Sequence, residues 1–147
     1  MAPLIALLAG TVAARLAGLL GVDVLDDWHP ALRVGLASMF VLTGLAHFAS
    51  RRAELVAMVP PGLPRPDLLV TLTGVLEIVG ATALLVPATA GWAGAGLALL
   101  MVAMFPANVS AARRRLTLAG RPVTPLGVRT ALQAVFVAAA LAVASGA

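Results

Sequence analysis

Apolar runs of about twenty residues recur from one end of this chain to the other, at residues 3–22, 31–50, 68–87, 92–110 and 126–145. As a helix rising 1.5 Å per residue, each is long enough to cross a hydrocarbon layer of ~30 Å. An open strand there would leave backbone N–H and C=O groups unpaired in lipid, so helix is the form such runs must take. Charge agrees: 11% of the residues are charged and 61% hydrophobic, whereas a soluble domain carries roughly 25% charged residues. So few charged side chains cannot cover a surface facing water. The expected fold is all-α, a polytopic membrane helical bundle of five spans.

The basic residues fall between the runs, and all ten are Arg. Residues 51–66 hold Arg51, Arg52 and Arg65, and residues 111–125 hold Arg113, Arg114, Arg115 and Arg121. The connections at the opposite ends of the spans carry Asp23, Asp26 and Asp27 with Arg33, and an uncharged hairpin across residues 88–91. Positive-inside bias therefore places the 51–66 and 111–125 loops and the N-terminus in the cytoplasm. The net charge of +4 does not suggest nucleic acid, because the Arg residues form no stripe and have no aromatic platforms beside them. The absence of Cys excludes thiolate chemistry and Cys-ligated clusters within the chain.

Arg15 sits inside the first run and must be hidden against other helices or paired, with Glu77 as one partner. A cleaved signal peptide is the competing reading of this run, although no basic segment precedes it. Small residues four apart line the first span (Ala6, Gly10, Ala14, Gly18) and the last (Ala134, Ala138, Ala142, Gly146). Such stripes allow helix backbones to approach closely in lipid.

Polar side chains within spans are costly unless paired, so they mark where function resides. They are Arg15, His47, Glu77 and Asn108, with Thr43, Thr71, Thr73 and Gln133 as weaker members. Glu77 lies near the centre of its run and is a candidate for a proton relay or ligand contact. His47 belongs to Leu42-Thr43-Gly44-Leu45-Ala46-His47-Phe48, which Leu72-Thr73-Gly74-Val75-Leu76-Glu77-Ile78 echoes thirty residues later. In each copy Gly44 or Gly74 permits close helix approach, and the polar residue follows almost one turn on. Pro106 deprives the Val102 carbonyl of its usual donor, and Asn108 can satisfy such a carbonyl, a ligand or His47. The run boundaries put Glu77 about 9 Å deeper than His47, with His47, Glu77 and Asn108 lining one pocket open to the basic side. A metal is not expected, since one His, one Glu and one Asn make a thin ligand set. The apolar, proline-rich stretch around Pro60, Pro61 and Pro64 is expected to pack at the membrane interface.

Ala46-His47-Phe48, Met58-Val59-Pro60, Gly74-x-x-Glu77-Ile78-x-Gly80-Ala81, Leu84-Leu85-x-Pro87 and Phe105-Pro106-Ala107-Asn108 together resemble the DoxX-like family of small bacterial membrane proteins. The likeness extends from Leu32 to Ser145, about four-fifths of the chain. It implies a four-helix membrane domain at residues 29–147, with residues 1–28 an added transmembrane helix and acidic extracytoplasmic loop. It also implies His47, Glu77, Pro106 and Asn108 as the residues carried over, and a connection with quinone-coupled or redox partners. Three functions follow as expectations. The first is a non-catalytic membrane subunit or a bundle binding a small quinone- or lipid-like ligand. The second is an oxidoreductase subunit, for which the sequence shows neither a dinucleotide fingerprint nor a pair of His for haem. The third is a proton-coupled transporter of small solutes. Membrane lipids are the expected surroundings, a redox or other membrane protein is the candidate partner, and the cofactor and homo-oligomeric state stay open.

Overall fold

The computed structural model of the protein describes residues 1–118 and 120–146. Among the described residues, five helices are long and apolar enough to cross a membrane: α1 (Ala2–Leu19), α2 (Trp28–Ala46), α4 (Pro66–Leu85), α5 (Pro87–Arg113) and α6 (Leu126–Ser145). A short helix, α3 (Arg52–Met58), follows α2, and a single 3-10 turn at Asp23–Leu25 precedes it. The chain is a multi-spanning membrane bundle. Its outer surface is apolar, with Ile5, Leu8, Val12 and Leu16 exposed along α1 and Leu68, Leu72, Leu76 and Val79 along α4.

Packing runs α2 to α4, α4 to α5, α5 to α6, with a lighter contact from α6 back to α2, so these four close a ring. Helix α1 lies outside that ring against α2. The shared core draws Leu36, Met39 and Phe40 from α2, Leu84 from α4, Leu97 and Met101 from α5 and Val143 from α6. Lipid tails are as apolar as these side chains, so close backbone approach and interhelical hydrogen bonds must hold the helices together. Glycine supplies the approach. A Cβ on Gly35 of α2 would overlap Thr11 of α1, and one on Gly94 of α5 would lie 2.6 Å from the Ala140 carbonyl of α6.

The small-residue stripe of α1 therefore meets a neighbour, with Ala14 and Gly18 buried and Gly10 against Ser38. That of α6 does not. Ala134 and Ala138 are exposed, while Ala140 and Val143 face the core. Composition alone produced the α6 stripe; the rotation of the helix is set by the larger apolar residues beside it.

Several boundaries differ from the apolar runs. Helix α2 begins at Trp28 because Asp27 caps it, its carboxylate accepting from the Trp28 N–H at 2.6 Å. Pro30 is tolerated in the first turn, where N–H groups lack intrahelical partners in any case. The helix stops at Ala46, and α3 is a separate helix at the same end. The α4–α5 hairpin turns on Val86 alone, with Pro87 the first residue of α5. Proline looks like a stop in sequence, yet its fixed φ suits a helix start. The connection from α5 to α6 adds a feature outside the all-α expectation, a ribbon of β1 (Thr117–Leu118) and β2 (Arg121–Pro122) pairing Thr117 with Pro122 and Leu118 with Arg121.

The alternation of spans sends residues 47–65 and 114–125 to one end, termed the basic end, and residues 20–27 and Val86 to the other, the acidic end. Contacts across the bundle agree. At the acidic end Arg33 donates to the Leu84 and Leu85 carbonyls at 2.7 and 2.8 Å, and His29 Nε2 donates to the Val143 carbonyl at 3.3 Å. At the basic end Arg114 donates to the Ala57 carbonyl at 2.8 Å. Trp28 and Trp92, both exposed near the acidic end, suit the aromatic level of a membrane interface.

Candidate functional site

The two echoing segments cross each other. Helices α2 and α4 run antiparallel, and a Cβ on Gly44 would meet Ile78 at 2.8 Å and Glu77 Cβ at 3.3 Å. A Cβ on Gly74 would meet His47 Cβ at 2.5 Å and its Cγ at 2.9 Å. Each glycine thus receives the polar residue of the opposite copy. Positions 44 and 77 exchange with 74 and 47 under a local twofold, which is the geometric meaning of the thirty-residue echo.

Both polar residues are buried, His47 at 4% exposure and Glu77 at 5%. Thr43 joins them. Its hydroxyl donates to Glu77 Oε2 at 2.5 Å, while its own backbone carbonyl accepts from His47 Nδ1 at 2.9 Å. A carbonyl can only accept, so Nδ1 carries the hydrogen and Nε2 is the acceptor of the neutral ring. Nε2 makes no hydrogen bond to a described residue, and Thr43 is the only such partner of the Glu77 carboxyl. Because His47 is level with Gly74 and Glu77 with Gly44, the two differ in depth by three residues, about 4.5 Å. This is half the separation expected from the run boundaries, because the relative height of the two helices is set by the Gly44 and Gly74 contacts and not by where the helices end.

Arg52 closes the basic side of this crossing. From the first turn of α3 its guanidinium donates to the His47 carbonyl at 3.1 Å, the Asp67 carbonyl at 3.1 Å and Thr71 Oγ1 at 3.0 Å. It caps the end of α2 and ties it to the start of α4. In sequence Arg52 is only one of two adjacent loop charges, and its position two residues past the end of the apolar run is the available signal.

Asn108 belongs elsewhere. Its Oδ1 accepts from Arg129 Nη1 of α6 at 2.5 Å, Arg129 Nε donates to the Thr124 carbonyl at 3.1 Å, and Gln133 Nε2 donates to the Met101 carbonyl of α5 at 2.5 Å. The polar line from His47 through Glu77 to Asn108 is therefore two clusters, one at the α2–α4 crossing and one clasping α5 to α6. Helix α5 continues through Pro106 to Arg113, and the α5 carbonyl supplied from outside is that of Met101. Arg129 escaped the sequence reading. It stands at the fourth residue of its run, and Gln133 one turn later on the same face marks the polar stripe.

Arg15 is not near Glu77. It pairs with Asp26 at 2.6 Å, and its guanidinium carbon lies 5.7 Å from the centroid of the Trp28 ring. The acidic loop conceals it, half a membrane from the α2–α4 crossing.

A family described as a domain of unknown function, DUF8561, matches residues 36–144. The chain belongs to this family. The DUF8561 match begins within α2 and ends within α6, so it covers the helix ring with His47, Glu77 and Asn108, and leaves α1 outside. No curated protein and no solved structure matches the chain.

Proposed function

We propose that this DUF8561 protein is a non-catalytic membrane subunit that binds the polar head of a small quinone- or lipid-like molecule at the α2–α4 crossing. One observation carries this reading: a buried mid-span carboxyl, Glu77, whose only hydrogen-bond partner among the described residues is the neutral Thr43, beside the spare Nε2 acceptor of His47. An uncompensated carboxylate in lipid is expensive, so the group calls for a proton or a donating guest. A hydroxyl of the guest would donate to His47 Nε2, and a carbonyl would accept from protonated Glu77. Apolar α2 and α4 surfaces would receive its tail. The resemblance to the DoxX-like family supports the same class of ligand and suggests a redox protein of the same membrane as partner. The Arg distribution supports a cytoplasmic basic end in a bacterial plasma membrane.

The test is mass spectrometry of small molecules and proteins retained by gently extracted wild type beside Glu77→Gln. A quinone- or lipid-class molecule should be retained by the wild type and depleted about tenfold in the variant, the weight of one buried hydrogen bond. Identical retained molecules in both, at equal melting temperature, would sink the proposal.

A further inference from the structure

A cleft of about 460 Å³ opens at the basic end where the chain leaves α5 and returns to α6. It is lined by Arg113, Arg115 and Thr124 and by the apolar Leu116, Val123 and Leu126. Arg113 also borders a second cleft, of about 380 Å³, between Pro60 and Phe105. The two clefts thus share Arg113, at the end of α5, and both have mainly apolar walls with Arg residues at their border.

The backbone adds an independent observation. Helix α5 ends in a Schellman turn, with the Leu116 N–H bonded to the Ala111 carbonyl at 3.1 Å and the Arg115 N–H to the Ala112 carbonyl at 3.2 Å. The residue after the cap in this turn needs a left-handed conformation and is usually Gly. Here it is Arg115, at φ +50°. An Arg held there against its backbone preference points to a requirement for its side chain. Neither the Arg113 nor the Arg115 side chain forms an ion pair or hydrogen bond with a described residue, whereas the Arg114 side chain between them donates to Ala57.

We infer that this cleft seats the headgroup phosphate of an anionic phospholipid. Arg113 and Arg115 hold the phosphate oxygens, Thr124 lies beside them, and the acyl chains pass over the apolar cleft along α5. Guanidinium geometry suits phosphate, and basic recesses at helix ends are where anionic lipids gather. This site is separate from the α2–α4 crossing and does not depend on its function.

Native mass spectrometry of the full chain in detergent, titrated with phosphatidylglycerol or phosphatidylcholine of the same acyl chains, tests it. The wild type should prefer phosphatidylglycerol, and Arg113→Gln and Arg115→Gly should each weaken that binding about fivefold, as expected for one guanidinium near an anionic surface. Arg115→Gly should also melt no lower than wild type, since glycine suits the left-handed position. That separates loss of lipid from loss of fold. Equal binding of the two lipids, or unchanged preference in both variants, would overturn the assignment. Displacement of the lipid by matched inorganic phosphate would overturn it too, in favour of a soluble anion.

Discussion

At the scale of single residues, Gly74 shows how little space the α2–α4 crossing leaves. Alanine would favour the helix by up to about 1 kcal/mol, but its Cβ would press on His47 at 2.5 Å. Overpacking of a fixed contact costs about 1–3 kcal/mol, so Gly74→Ala should lose stability by about 1–2 kcal/mol. Gly96 of α5 offers the contrast, since a Cβ there meets nothing within 4 Å. Gly96→Ala should be neutral or stabilising. Thermal unfolding in one detergent, with the two variants side by side, reads the difference, and equal shifts would show that the crossing tolerates expansion. His47 and Glu77 were legible as candidates because a polar side chain in an apolar run is conspicuous. Their partner Thr43 was weaker in sequence, since a hydroxyl in a helix can always bond back to its own turn, as Thr73 does to Leu69 and Val70.

Between elements, the polar clasp of α5 and α6 makes a pairwise prediction. Asn108→Ala leaves one Arg129 nitrogen without its interhelical partner, and interhelical polar contacts in membranes are worth about 0.6 kcal/mol, rising to roughly 2. The single variant should therefore lose about 1–2 kcal/mol. Arg129→Met in the same background should recover part of the loss, because the stranded cation is gone. A double variant as unstable as the sum of the two singles would show that the residues act independently. The helices themselves could be read from their apolar runs, whereas this clasp could not. Asn108 and Arg129 are twenty-one residues apart on different helices, and their meeting depends on the rotation of α6 about its axis, which the Ala/Val/Leu composition of that helix leaves weakly marked. Proline misled for a related reason. Pro30 and Pro87 both sit in first turns, where the residue is compatible with helix, and a sequence reading treats both as borders.

For the whole molecule, five of the ten Arg side chains, Arg15, Arg33, Arg52, Arg114 and Arg129, are bonded to other parts of the chain. Arg33, Arg52 and Arg114 supply the terminal carbonyls of α4, α2 and α3, where the helix dipole favours cations. Arg15 is held by Asp26. The remaining excess at the basic end carries the orientation proposed from the sequence. Because the native chain has no Cys, single cysteines report sidedness without background. Val24→Cys at the acidic end should react with a membrane-impermeant maleimide on intact cells stripped of their wall, and Ser50→Cys at the basic end only after permeabilisation. The opposite pattern would reverse the orientation.

The local twofold at the α2–α4 crossing has a further consequence. Its frame is symmetric in backbone, with a glycine and a threonine from each copy, but its two polar positions hold an imidazole in one copy and a carboxyl in the other. Frame and contents therefore disagree. Under the proposed function, a guest whose two ends are alike would meet a base at one end and an acid at the other, so the crossing would give direction to a molecule that has none of its own. The echoing segments supply the geometry of the crossing, and the exchange of His47 for Glu77 between them supplies its polarity.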